Sequence, residues 1–251
     1  MLSDERRGVK LAVVGARGRM GQRLVTLGHE ASDIEVVGAI DAGGSTLNDL
    51  KDVDCIVDFS VHEQAPVTAA FCRARRVPLV MGTTGMTEDE RRAIDETATI
   101  VPVVMAPNFS IGVNLLFEIL GDAAEMLGRD YDIEVVEAHH RRKVDAPSGT
   151  AVRLGEVLAE AIGQSYDEAV VCGREGQVGA RTVNEIGMSV VRGGDVVGEH
   201  TVLFLGEGEQ VSFSHRATDR DIFVRGALRA ARWVSNQTSP GLYGMGDVLR
   251  L

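Results

Sequence analysis

The chain has 251 residues, 44% of them hydrophobic and 25% charged, with a net charge of −11. That length can bury a sizeable core in one large or two smaller domains, and the acidic balance argues against nucleic acid or an anionic membrane as a partner. No apolar run approaches the roughly 18 residues of a membrane span, and Met1–Gly8 reads as a frayed polar tail without a signal-peptide core; Cys55, Cys72 and Cys172 are widely spaced with no CxxC, as expected of a cytoplasmic protein whose reduced thiols pack as small apolar groups.

Lys10–Val14 reads as a short buried strand. It runs into Gly15-Ala16-Arg17-Gly18-Arg19-Met20-Gly21 and then a helix with Met20, Leu24 and Leu27 on one face. Strand, glycine turn and helix in that order make the phosphate-binding start of a Rossmann unit, although the spacing is GxxGxxG. The next strand, Ile34–Ile40, ends at Asp41, which lies 20 residues beyond Gly21, where a carboxylate can bond an adenosine ribose. Asp54–Phe59 is a third strand, followed by a helix whose apolar face is predicted at Val67, Ala70, Phe71 and Ala74. Pro78–Met81 is a strand ending in Gly82-Thr83-Thr84-Gly85. Thr87 caps a polar surface helix reaching Ala98, and Ile100–Ala106 is a strand ending in Pro107-Asn108-Phe109-Ser110. Alternating strands and helices imply a parallel sheet with its ligand at the carboxyl ends of the strands, so the three loops line one rim.

Leu116, Ile119, Leu120, Ala123 and Leu127 predict a helix between domains. Tyr131–Val136 then reads as a strand, and Leu154, Val157, Leu158, Ala161 and Ile162 as one face of a helix. The link between them, Glu137 to Ala151 (EAHHRRKVDAPSGTA), concentrates the chemistry. Pro147-Ser148-Gly149-Thr150 is a turn into a helix N-terminus, which binds carboxylate or phosphate, and Ser148 or Thr150 can cap it. Arg141, Arg142 and Lys143 add positive charge, and Lys143 is one of only three lysines among the 26 Lys and Arg. His139 or His140 can supply a proton near neutral pH; neighbours on a strand face opposite ways, so the two histidines have different jobs. The site suits an anionic ligand, plausibly a dicarboxylate. A metal fits less well, because adjacent histidines lack the HExxH spacing. Ser189–Arg192, His200–Leu205 and Gln210–His215 read as strands without intervening helices, hence an antiparallel or mixed open sheet whose edges oligomerisation can cover. Phe223, Ala227, Ala230, Ala231 and Val234 form a last helical face that returns to the first domain.

The stretch EAHHRRKVDAPSGTA resembles the signature of the dihydrodipicolinate reductase family. GARGRMG, MGTTG and APNFSIGVN resemble its cofactor loops, and GREGQVGARTVNEIG, RGGDVVGEHTVLF and DRDIFVRGALRAARW its second half. The resemblance implies a Rossmann-type parallel-sheet domain (residues 1–110 and 220–251) and a second α+β domain with an open mixed sheet (111–219) that binds substrate and builds a homotetramer. It implies NAD(P)H-dependent reduction of 4-hydroxy-tetrahydrodipicolinate, a small dicarboxylate, to tetrahydrodipicolinate with loss of water. By the same resemblance Gly15, Ala16, Arg17, Gly18, Arg19, Met20, Asp41, Gly82, Thr83, Thr84, Ala106, Pro107, Asn108 and Phe109 contact the cofactor, with Phe109 near the nicotinamide. His139 is then the proton donor and acceptor, Lys143 a proton donor, and His140, Gly149 and Thr150 hold substrate. Asp41 followed by Ala42-Gly43-Gly44, with no cation, suggests NADH over NADPH, with Arg17 or Arg19 as partial compensation. Rival readings are another two-domain reductase of a small dicarboxylate, and a redox sensor that binds dinucleotide without turnover. A sensor would need no histidine–lysine cluster.

Overall fold

Val9–Val14 (β1) is apolar except for Lys10, and its alternate residues serve two cores: Leu11 and Val13 join one, Ala12 and Val14 the other. Only a strand covered on both faces needs that pattern. In the computed structural model, which describes residues 8–250, β1 sits within a six-stranded parallel sheet. Its companions are Ile34–Ile40 (β2), Cys55–Asp58 (β3), Leu79–Met81 (β4), Pro102–Met105 (β5) and Gly241–Tyr243 (β11), in the order β11-β5-β4-β3-β1-β2. The tail expected at Met1–Gly8 lies, apart from Gly8, outside the described residues. The chain divides into two units, residues 1–111 with 221–251, and residues 112–220.

In the first unit, Arg19–Glu30 (α1) and Asp221–Ser235 (α7) share a core with Leu11 and Val13, through Leu24, Val224, Ala227 and Ala231. Ala65–Arg75 (α2) and Glu88–Ala98 (α3) cover the other face. The Thr87 cap is present, completed as a capping box by Glu90. The face of α2 differs from expectation. Of the expected residues Phe71 packs against the core, but Val67 is 55% exposed and Ala70 and Ala74 face outward, and Ala65, Thr68, Ala69 and Cys72 are buried instead. Small side chains let α2 approach the sheet and α3 closely, and that close fit outweighs the larger apolar residues. β11 and Met245–Leu249 (α8) close the unit.

In the second unit, Asp132–His139 (β6), Val170–Cys172 (β7), Ile186–Arg192 (β8), Gly198–Leu205 (β9) and Gln210–Ala217 (β10) form a mixed sheet ordered β10-β9-β6-β8-β7. β6 pairs parallel with β8 and antiparallel with β9. Ile111–Leu127 (α4) and Gly149–Ala161 (α5) bury Leu116, Leu120, Leu154 and Leu158 against Ile133, Val135, Val202 and Phe204; Tyr166–Ala169 (α6) leads into β7. Cys55 and Cys72 pack as small apolar groups, but Cys172 is exposed because it ends the short edge strand β7. No helix among the described residues is long and apolar enough to cross a membrane.

Candidate functional site

The first unit carries a rim at the carboxyl ends of its strands. Gly15 adopts φ +80°, and an added Cβ would stand 2.7 Å from the Phe59 carbonyl oxygen. At Gly21 a Cβ would meet the Gly15 carbonyl oxygen at 2.0 Å, so only glycine lets α1 start this close to the turn. A cleft of about 660 Å³ opens here, lined among others by Gly15, Gly18, Asp41, Ala42, Phe59 and Ser60. It lies at the switch point where β2 and β3 flank β1. The Asp41 carboxylate accepts from Arg17 N at 2.7 Å and Ala42 N at 2.8 Å, and these two backbone donors hold it below the usual carboxylate range. Each oxygen keeps acceptor capacity for a ligand hydroxyl. The Arg17 side chain turns back onto this loop and donates to Ala42 O at 3.2 Å, which brings a cation beside Asp41. These residues fit the adenosine half of a dinucleotide.

Farther along the same edge, Thr83, Thr84, Ala106 and Pro107 line a smaller pocket of about 370 Å³. Ala16, Arg17, Arg19, Met20, Gly82, Asn108 and Phe109 line neither cavity. Phe109 is 2% exposed and packs on Phe59, ring centres 5.4 Å apart, so its side chain shapes the rim from below. Asn108 Oδ1 accepts from Ser110 N at 2.8 Å, shaping that turn. Sequence reasoning gave no part in the site to Phe59, the last residue of its predicted strand, or to Ser60 after it. It also passed over Asp58, which is fully buried; one of its oxygens accepts from Ser60 N, Ser60 Oγ and Thr83 Oγ1, tying two loops of the rim together.

In the second unit, period-two alternation puts Ile133, Val135, Glu137 and His139 on the helix-covered face of β6. His200 on β9 stands directly opposite Glu137. Arg192, at the end of β8, donates to both Glu137 oxygens, at 2.9 and 2.8 Å. His139 Nδ1 lies 2.5 Å from Glu137 Oε2, and Ser148 N donates to Oε1 at 3.0 Å. Burial alone would raise the Glu137 carboxyl, but the bonds from Arg192, His139 and Ser148 outweigh it and hold Glu137 ionised. An ionised Glu137 can only accept, so His139 carries its proton on Nδ1. Burial lowers His139, and the opposing pull of Glu137 does not fully offset it. Burial, followed by the charge of His139, pushes His200 down to about 4.

Ser148, rather than Thr150, caps α5: its Oγ accepts from Ala151 N at 3.2 Å and lies 3.1 Å from His200 Nε2. Gly149 and Thr150 open the helix, where backbone N–H groups precede the ladder. A Cβ on Gly149 would enter open space, which leaves room for a ligand to reach the backbone. Lys143 Nζ donates to Asp145 at 2.8 Å, and His140 Nε2 lies 3.4 Å from the Arg220 guanidinium. His140 Nδ1 is buried and has no hydrogen-bond partner among the described residues. Arg141 and Arg142 are exposed. The arrangement suits a dicarboxylate beside a proton-transferring histidine and lysine. Glu137, His139 and His200 bring ligand-type atoms within 4.8 Å of one another, the spacing of a metal site that the sequence reading did not foresee. The Arg192 guanidinium already supplies the cation for that carboxylate. Glu137, Arg192 and His200 received no role from sequence, because β-pairing, not spacing, assembles them.

The chain matches the family model described as dihydrodipicolinate reductase, N-terminus, over residues 9–109, and the C-terminus model over residues 112–249. It is 46% identical over 266 aligned positions to 4-hydroxy-tetrahydrodipicolinate reductase of Syntrophotalea carbinolica, covering 97% of this chain and 99% of the relative. The same enzyme of Geobacter metallireducens is 47% identical, with the same coverage. Among solved structures, a dipicolinate-bound dihydrodipicolinate reductase from Paenisporosarcina sp. TG-14 aligns with a TM-score of 0.76 and 25% identity, covering 96% of this chain and all of that one.

Proposed function

The chain belongs to the dihydrodipicolinate reductase family, whose reaction it carries out, and we propose that the β6–α5 link performs the proton chemistry of that reaction. The enzyme reduces 4-hydroxy-tetrahydrodipicolinate to tetrahydrodipicolinate with loss of water, at the expense of NAD(P)H, in lysine and diaminopimelate biosynthesis. The observation that carries this reading is the match over both halves of the chain, joined to a cluster of His139, Lys143 and their partners on the link into α5.

The nicotinamide cofactor supplies hydride when bound. The residues proposed to hold it are Gly15 to Met20, Asp41, Gly82 to Thr84 and Ala106 to Phe109. Negative charge develops on the substrate as hydride arrives, and a proton must follow. Lys143 is the donor of that proton, and His139, with Nδ1–H fixed by Glu137, presents Nε2 as a base that first takes up a proton and gives it back only as the imidazolium. The Gly149 and Thr150 amides, at the positive end of α5, and His140 hold a carboxylate. NADH is the preferred cofactor because Asp41 repels a 2′-phosphate, while Arg17 beside Ala42 permits some use of NADPH. A cytoplasmic homotetramer, built through the second unit, accords with Val191 at 52% exposure and with the neighbouring Ala138 on the side of that sheet away from α4 and α5.

The test couples purified protein to the synthase that generates the unstable substrate in place, and follows loss of NADH absorbance. Turnover of NADH with this substrate, and none with other small dicarboxylates, is the expected result. Dinucleotide binding with no turnover would favour a redox sensor instead.

A further inference from the structure

Arg192 lies outside the stretch that carries the signature, yet its guanidinium bonds a residue that in turn holds each proton-transferring group. One edge clamps the Glu137 carboxylate through two parallel bonds at 2.9 and 2.8 Å, and Glu137 holds His139 Nδ1 at 2.5 Å. Nη2 also donates to the Asp145 carbonyl at 2.7 Å, and the Asp145 carboxylate holds Lys143 Nζ at 2.8 Å. His139 Nε2 faces Gly198, where a Cβ would stand only 3.0 Å away; glycine leaves that nitrogen room. A buried carboxylate stays ionised only when its charge is paired. This one sits at 0% exposure between a cation and an imidazole.

We propose that Arg192 and Glu137 form a positioning pair for this reductase: the guanidinium fixes the carboxylate, the carboxylate keeps His139 in the Nδ1–H tautomer with Nε2 available for proton transfer, and the same guanidinium anchors the loop that carries Lys143. The inference rests on the roles proposed above for His139 and Lys143. Its physical basis is that an imidazole must present the correct nitrogen, and an ionised acceptor on the other nitrogen enforces this. Bidentate geometry restrains the carboxylate in plane, which a single contact would not. The charged groups facing His139 are Glu137 on β6, Arg192 on β8, Lys143 on the loop, and His200 on β9; Asp145 acts on Lys143 and Arg192, and His215 on β10 acts in turn on His200. Of these, Glu137 is the one that favours the imidazolium strongly, through its hydrogen bond and its charge.

The deciding variant is Glu137→Gln, which keeps shape and removes charge. We expect kcat to fall about 10²-fold, between the loss typical of an orienting partner of a metal-bound histidine and that of a triad aspartate. NADH affinity should be unchanged. The limb of the pH–kcat profile that belongs to His139 should move to lower pH, since the cations around His139 then act unopposed. Nitrogen-15 spectra of histidine-labelled protein, with the His139 resonances assigned through His139→Ala, read the tautomer independently of turnover. The expected change is from Nδ1–H to a mixture of tautomers. Arg192→Lys, which keeps charge but not the fork, should recover much of what Arg192→Met loses. A role confined to stability would lower Tm in these variants and leave the pH profile and ring shifts where they were. A folded Glu137→Gln protein with unaltered kcat and His139 shifts overturns the proposal. If Glu137→Gln does not fold, unchanged kcat and ring shifts in Arg192→Lys and Arg192→Met overturn it equally. Full activity in His139→Ala would instead remove the reading on which the proposal stands.

Discussion

Lys143 stands 20% exposed beside Asp145 at the mouth of the β6–α5 link, and His139 lies deeper, bonded to Glu137. Removing either group is predicted to lower kcat by about 10²–10⁴-fold while leaving NADH affinity intact, because both act in the transition state; steady-state kinetics and NADH fluorescence titration check this, and near-normal turnover in Lys143→Ala would refute its role. At Asp41, the loop offers Ala42 where a 2′-phosphate partner would stand. Ala42→Arg should raise kcat/KM for NADPH and leave NADH roughly unchanged, and removing Arg17 should depress NADPH use selectively. His200 gives a prediction for stability. Its folded value near 4 lies below the usual 6.5, so as pH falls through that window the unfolded chain takes a proton that the folded chain refuses. Stability therefore declines from pH 6.5 towards 4, by up to about 3 kcal/mol from this group. His139 and His215 are lowered as well and act in the same sense. The depressed carboxyls of Glu137 and Asp41 lose their contribution only below their unfolded values near 4. Urea unfolding at pH 7, 6 and 5 isolates the histidines, and His200→Gln should flatten the slope.

The elements differ in how far pattern alone predicts them. α5 is set by its own residues: Ser148 caps it and Leu154 and Leu158 bury its face. Its first turn is predicted to bind a carboxylate of a pyridine dicarboxylate, which should inhibit competitively against substrate. Thr150→Val, which keeps the amide and removes the side-chain hydroxyl as a further donor, should weaken that inhibition about tenfold; unchanged inhibition would take the hydroxyl out of the carboxylate site. α1 depends on its contact with the turn before it. Gly21→Ala places a Cβ 2.0 Å from the Gly15 carbonyl and should cost about 1–3 kcal/mol of stability with loss of NADH affinity, measured by thermal unfolding and titration. α2 shows where periodicity misled: Val67 and Ala70 form an apolar stripe, yet Ala65, Ala69 and Cys72 are the residues inside. Helical period identifies a helix, but which face turns inward depends on the space its neighbours leave.

At the scale of the whole molecule, the two sheets answer different needs. The parallel sheet is covered on both sides and brings the carboxyl ends of its six strands to one edge. Within the second unit, α4 and α5 cover one side of the mixed sheet. Arg174 and Arg181 pin the connection between β7 and β8 to Glu134 on the other side. Association through that side is predicted to make the tetramer. Val191→Glu should give a smaller species in analytical ultracentrifugation, while an unchanged sedimentation coefficient would place the interface elsewhere.

Sequence by itself determined the parallel order of strands and helices, the glycine turn, Asp41 after β2 and the His139–Thr150 cluster, because each is local: a period, a turn residue or a run of neighbours fixes it. Among the described residues, β7 and β11 escaped notice, since three residues are too few to show a period. Tertiary structure alone decided that Ser148 is the cap, that the Phe109 ring belongs to the core, and that Arg17 returns to the Asp41 loop. It alone joined Glu137 to Arg192 and His200, residues 55 and 63 positions apart along the chain. Hydrogen-bond register across β6, β8 and β9 brings those side chains to one face, and register is a property of paired strands that no single stretch of sequence contains.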